Sequence, residues 1–263
     1  MKLRIVVTAL CFLMAAAPSF AAEKPIRVLY LTKSSGFEHS VIHREKGELG
    51  LSEKVMLDLA EKNNFALVVT KDAGMINEQQ LKCFDVVQWY TTGDLCQPSK
   101  DGGAAMSEAG RDAFVKWVKD GGGFAGMHTA ADTFQSGGKS IYEPYREIAG
   151  GVFLTHKNQE EAKLLVQKHP ITSHLDPEWT ILDEWYIFTD VTKTLKPLIV
   201  LDTKSMKQDE YKQRDPYPIA WLDEIGQGRV FCTAMGHRED VWTNPKFQEL
   251  IVKGIKWAAK RLD

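Results

Sequence analysis

Five short apolar runs, each breaking off into a polar cluster that carries glycine, serine or histidine, limit what this chain can fold into. Residues 26–32 end at Lys33-Ser34-Ser35-Gly36, and residues 65–70 form a second run. Residues 84–90 end at Thr91-Thr92-Gly93-Asp94, residues 124–127 run straight into His128, and residues 229–235 run into Gly236-His237. Runs that are apolar throughout, rather than alternating, suit strands covered on both faces. Helical signals lie between them. Val55 and Leu59 keep helical spacing in a stretch that ends near Lys62, and Asn77 opens a short helix carrying Leu81. Ser107 is placed to cap a helix with Phe114, Trp117 and Val118 on one face, which Gly121-Gly122-Gly123 terminates. Asn244 followed by Pro245 opens a final helix with the stripe Phe247, Ile251, Ile255 and Ala258. Alternation of this kind predicts an α/β fold, a three-layer sandwich around a mainly parallel sheet. The middle third departs from it. Residues 161–167, 181–188, 198–202 and 219–222 read as strands without helices between them, so an antiparallel extension or inserted β-lobe is expected there.

The first 21 residues stand outside this pattern. Lys2 and Arg4 precede an apolar segment, residues 5–17, that is too short to span a bilayer, and Ser19-Phe20-Ala21 places small residues where a signal peptidase reads. The expectation is a signal peptide over residues 1–21, cleavage after Ala21, one domain over residues 22–263, and a periplasmic or secreted protein free of the membrane. A retained N-terminal anchor is the competing reading. The net charge of −2 supplies no basic stripe for nucleic acid. Cys83, Cys96 and Cys232 form no CxxC pair. An oxidising compartment would allow Cys83 to pair with Cys96; three small buried hydrophobic residues are the plainer reading.

A parallel sheet places ligands beyond the carboxyl ends of its strands. Four polar clusters follow predicted strands: Gly36-Phe37-Glu38-His39 with His43 beyond, Gly93-Asp94, His128 to Asp132, and Gly236-His237-Arg238-Glu239. His39, His128 and His237 are therefore expected to meet, although they are far apart in sequence. Imidazoles near neutral pH serve as acid, base or metal ligand. No HxH or HExxH pair occurs, so the choice between acid–base work and metal binding stays open. In Asp183-Glu184-Trp185-Tyr186 a strand would put Glu184 and Tyr186 on one face, making Glu184 an acid–base or ligand candidate. Phe37, Trp185, Tyr186 and Trp242 offer flat faces for a sugar ring, with core packing the alternative for each. His156 could line the edge of the crevice, with a surface loop the plainer reading; His169 and His174 flank Pro170 in a turn. The glycines of residues 121–126 precede their strand, so they are no dinucleotide fingerprint, which counts against a redox cofactor protein.

Taken together, residues 121–132 (Gly-Gly-Gly-Phe-Ala-Gly-Met-His-Thr-Ala-Ala-Asp), Asp183-Glu184-Trp185-Tyr186, residues 228–237, Gly36 to His39 and the closing helix resemble the ThuA-like (trehalose utilisation) family over nearly all of residues 22–263. The resemblance implies a relative of the class I glutamine amidotransferase fold. That class carries a cysteine on a sharp strand-to-helix turn, followed later by a His-x-Glu pair. Here His128 stands at the turn and His237-Arg238-Glu239 resembles the pair, so thioester chemistry and amidotransferase activity are excluded. Family context implies a small-molecule carbohydrate: a disaccharide or glycoside, or its 3-keto derivative. In that reading His128 and His237 transfer protons and Glu239 orients His237. His39 and Glu184 bind substrate or, with His128 and His237, a divalent metal such as zinc. Asp94, Asp132, Tyr186 and Trp242 complete the substrate site. The activity expected is that of a hydrolase or lyase; the alternative is a non-catalytic periplasmic sugar-binding protein.

Overall fold

The computed structural model describes residues 23–263, so the expected signal segment lies outside the described residues. In chain order the elements are β1 (Ile26–Leu31), α1 (Leu51–Lys62), β2 (Phe65–Thr70), α2 (Glu78–Leu81), β3 (Val86–Trp89), α3 (Glu108–Lys119) and β4 (Gly123–Met127). There follow β5 (Gln135–Ser136), β6 (Lys139–Ser140), α4 (Glu143–Ala149), β7 (Val152–His156), β8 (Glu160–Val166), β9 (Glu178–Asp183) and β10 (Tyr186–Thr189). The chain ends with β11 (Lys196–Leu201), α5 (Asp209–Lys212), β12 (Tyr217–Ile225), β13 (Gly228–Thr233), α6 (Glu239–Trp242) and α7 (Pro245–Ala258).

Nine strands form one sheet in the order β2-β1-β3-β4-β13-β12-β11-β8-β9. Its first five strands pair in parallel, and these are the five apolar runs of the sequence. From β13 onward all pairing is antiparallel, which is the extension expected from the middle third. β3 and β4 are buried along their whole length, as strands between two helical layers must be, whereas β2 at the edge is half exposed.

Local chemistry sets the helix starts. Ser107 Oγ accepts the Gly110 amide, Asn77 accepts those of Gln79 and Gln80, and Asn244 accepts that of Lys246 with Pro245 in the first turn. At α1 the Glu53 carboxylate reaches back to the Gly50 amide at 2.9 Å. The turn into β4 packs as tightly as its glycines suggest. A Cβ on Gly126 would stand 2.7 Å from Cys232 Sγ on the neighbouring strand.

Two expectations change. Residues 181–188 are two strands, not one. Asp183 Oδ2 accepts the Gly236 amide at 2.7 Å and the Trp185 indole donates to the Glu160 carbonyl at 2.8 Å. Between these anchors the chain leaves the large sheet, and β10 pairs with β7 in a separate two-stranded sheet. Among the described residues the cysteines are free, with Cys83 exposed, Cys96 partly buried and Cys232 buried. Nor, among these residues, is any helix long and apolar enough to cross a membrane.

Candidate metal centre

His39 follows β1, His128 follows β4 and His237 follows β13, and their rings meet above the carboxyl ends of the parallel strands. Ring centroids lie 5.1 Å apart for His39 and His128, 5.0 Å for His39 and His237, and 5.4 Å for His128 and His237. Glu184, in the break between β9 and β10, closes the group. Its Oε2 lies 3.6 Å from His128 Nε2 and 3.2 Å from His237 Nδ1. One potential ligand atom from each of the four residues falls within 4.8 Å of all the others. His39, His128 and Glu184 are buried and His237 is partly so.

The nitrogens facing this point are unpaired. His39 Nδ1, His128 Nε2 and His237 Nδ1 are buried and have no hydrogen-bond partner among the described residues. For His128 the tautomer follows from its other nitrogen. Nδ1 lies 2.6 Å from the Ala234 carbonyl, which can only accept, so Nδ1 carries the hydrogen, and in the neutral ring Nε2 presents its lone pair to the cluster. The Tyr186 ring, 4.3 Å away, holds the His128 ring from the side.

Charge and burial compete throughout. Burial pushes the His39 imidazolium down to about 2, and the neighbouring His128 and His237 rings add to the effect. Burial also depresses His237, but the Glu184 carboxylate outweighs it and leaves that imidazole above its ordinary value. Glu184 is itself disfavoured by burial, yet the His128 and His237 imidazoles beside it hold it well below the usual carboxylate range.

The other expected residues divide. Tyr186 joins the centre. Glu239 does not orient His237: its carboxylate accepts the Ser40 hydroxyl, tying the His39 turn to the start of α6, and Glu184 takes the role at His237. Asp94 stays outside, because its carboxylate closes its own turn on the Cys96 amide and Gln97. Trp242 is core; its ring is fully buried and its indole donates to the Gly236 carbonyl at 2.8 Å, beneath the His237 turn. Trp185 is likewise buried. Phe37 alone of the four aromatic candidates reaches solvent, 67% exposed, with its ring edge-on to His39 at 4.8 Å. His169 caps a short turn through Nδ1, and His174 bonds to the Lys246 carbonyl on α7, so neither enters the site.

Two further residues approach the centre, Tyr90, which the sequence did not single out, and His156, read there as a surface loop with the crevice edge the alternative. Tyr90 is buried against His39 and His128 and donates to the Gly236 carbonyl at 3.1 Å. His156, at the end of β7, places Nδ1 3.1 Å from Glu184 Oε1. Its signal was present: residues 152–156 are another apolar run ending in histidine.

Comparison with known proteins identifies the family and the fold. The family model for ThuA, described as trehalose utilisation, matches residues 27–258. The chain belongs to the ThuA family. That membership associates it with carbohydrate use. The fold is similar to that of a ThuA-like protein from Bacteroides uniformis (22% identity, TM-score 0.71, covering 92% of this chain and 95% of that one). A ThuA-like protein from Parabacteroides merdae is also similar (17% identity, TM-score 0.68, 90% of each chain). A GMP synthase component from Thermoplasma acidophilum shares the architecture at 9% identity and TM-score 0.51, covering 90% of this chain and 96% of that one. No curated protein sequence matches the chain. In this ThuA protein the sharp turn after β4 is occupied by His128 itself, with its backbone in the left-handed region at φ +38°. The cysteine closest to that turn, Cys232, is buried on β13, and burial pushes its thiol up to about 12.

Asp132 lies at the edge of the centre, and burial lifts its carboxyl to about 6 against the hydrogen bond it accepts from Gln135. A carboxyl that binds its proton more tightly in the folded chain stabilises the fold at low pH, and that contribution is lost as pH rises from about 4 through about 6. Asp132→Asn keeps an acceptor for Gln135. We expect the variant to match the parent near pH 4 and to exceed it in stability above pH 6, measured by urea melts in EDTA. A parent–variant difference that stays constant from pH 4 to 7 would refute the burial effect.

Proposed function

We propose that this ThuA protein is an exported carbohydrate-processing enzyme in which His39, His128, Glu184 and His237 hold a divalent transition metal, zinc being the simplest fit. The carrying observation is the set of three buried imidazole nitrogens without partners, facing one carboxylate oxygen. A buried polar atom left unpaired is costly, and three at one point are explained at once by a shared cation. The donor set also fits. Tetrahedral zinc with bonds of about 2.0–2.1 Å separates its ligand atoms by about 3.3 Å, and Glu184 Oε2 lies 3.6 and 3.2 Å from two of the nitrogens. Imidazoles with one carboxylate favour zinc and its neighbours over calcium or magnesium. The carbonyl behind His128 supplies the outer support that metal-bound histidines generally have.

A metal held there would polarise a sugar carbonyl or hydroxyl and acidify bound water. Imidazoles committed to the metal are not free for proton transfer, so the acid–base role read for His128 and His237 passes to Asp132. Its carboxyl, lifted toward neutrality, suits that role. In a 3-keto glycoside the carbonyl acidifies the adjacent C–H bond, so a carboxylate base can start elimination without a strong nucleophile. Phe37 offers the exposed apolar face on which a sugar ring can rest. Export is supported by residues 1–21 alone.

The test is metal analysis of the purified protein together with product detection on native and 3-keto disaccharides. One bound metal per chain and turnover that EDTA abolishes are expected. Saturable sugar binding with neither metal nor product would replace this reading with the binding-protein alternative.

A further inference from the structure

We infer that His156 is a positioning residue that fixes which Glu184 oxygen faces the metal and thereby sets metal affinity; this rests on the metal reading above. The two oxygens of Glu184 have different surroundings. Oε2 faces His128 and His237, and Oε1 lies 3.1 Å from His156 Nδ1. His156 Nδ1 is also 3.0 Å from the Lys157 carbonyl. Carbonyl and carboxylate oxygens only accept, so Nδ1 carries the hydrogen; it is hydrogen-bonded to the Lys157 carbonyl and stands in ion-pair range of Glu184 Oε1.

Three features make this contact more than a passing one. Glu184 is 5% exposed, so water is a poor substitute for its second oxygen. The imidazole is placed by sheet register: His156 pairs with Tyr186 across β7 and β10. The Phe153 and Tyr186 rings lie within 30° of parallel to the imidazole, at centroid distances of 6.0 and 6.1 Å, and limit its tilt. A carboxylate whose outer oxygen is held this way presents one oxygen to the cluster and cannot turn both toward it. The small sheet outside the main one thus supplies the outer support of Glu184, as the Ala234 carbonyl does for His128.

The His156 side chain is itself 43% exposed, so its removal should cost the fold little. That separates positioning from a structural role. Zinc affinity would be measured by chelator competition on the full chain for the parent, His156→Ala, His156→Asn and His128→Ala, with thermal melts of each metal-free protein. Asn places an amide N–H close to where Nδ1 sits. Loss of an outer-shell partner weakens metal binding about 10–100-fold, so His156→Ala should fall in that range. His156→Asn should recover most of the loss, with both metal-free melts unchanged. Parental affinity in His156→Ala, alongside loss of zinc in His128→Ala, would overturn the inference and leave the metal centre standing. Equal weakening in Ala and Asn with a lowered metal-free melt would overturn it in favour of a structural role. Absence of zinc binding in the parent would remove the metal reading and the inference together.

Discussion

His128→Ala is expected to fold, to lose bound metal, and to turn over glycosides slower than the parent by orders of magnitude. His128 contributes the most constrained ligand of the four. Its ring is 1% exposed, its Nδ1 is committed to the Ala234 carbonyl, and Tyr186 packs against its side. The ring projects from a turn whose backbone sits at φ +38°. Alanine removes the ligand and keeps the strained turn. Glycine removes both, since it alone adopts this conformation without penalty. His128→Gly should therefore be as inactive as His128→Ala yet more stable by about 1 kcal/mol, the lower end of what such strained residues cost. Metal content, steady-state turnover and urea melts on both variants check the argument. Turnover and metal content retained in His128→Ala would refute the assigned role, and a glycine variant no more stable than the alanine one would refute the strain.

The parts of this centre that could be read from sequence are those that follow buried parallel strands. The runs ending at His39, His128 and His237 belong to β1, β4 and β13, whose carboxyl ends face one crevice by the logic of the fold. Glu184 was legible for a partly mistaken reason. The strand assumed through residues 181–188 breaks at that residue, yet Glu184 and Tyr186 still both approach His128. Glu239 was misread because spacing says that a carboxylate lies two residues from His237 but not where it points. Its partner, Ser40, is 199 positions away. Trp242 was read as a flat face for a sugar ring, with core packing the alternative; its indole N–H is satisfied by the Gly236 carbonyl within the core. His156 lies on β7, which pairs only with β10 outside the main sheet, so strand–helix alternation carried no information about it.

Asp101→Ala is expected to destabilise the fold by about 3–5 kcal/mol, the cost of leaving a buried charge without its partner. Lys33 is fully buried, Lys71 is 6% exposed, and the Asp101 carboxylate beside them is 2% exposed. Asp101 lies 3.6 Å from Lys33 Nζ and 3.3 Å from Lys71 Nζ, and it also accepts the Ser34 amide and the Ser99 hydroxyl. Lys33 would retain the Ser99 hydroxyl and the Gly102 and Gly103 carbonyls, and Lys71 would retain the Thr32 carbonyl and Glu38. Neutral acceptors solvate an ammonium group but do not cancel its charge, and Glu38 is the more exposed carboxylate of the pair, so it compensates less. The loss should appear as a lower urea midpoint with an unchanged slope. Because Glu38 immediately precedes His39 and is held by Lys71, hydrogen exchange should also quicken across residues 36–43. A midpoint shift worth less than about 1 kcal/mol would show that the remaining acceptors suffice to hold both lysines. The end of β1, from which the His39 turn departs, would then owe its order to backbone pairing with β2 and β3 rather than to this buried charge cluster.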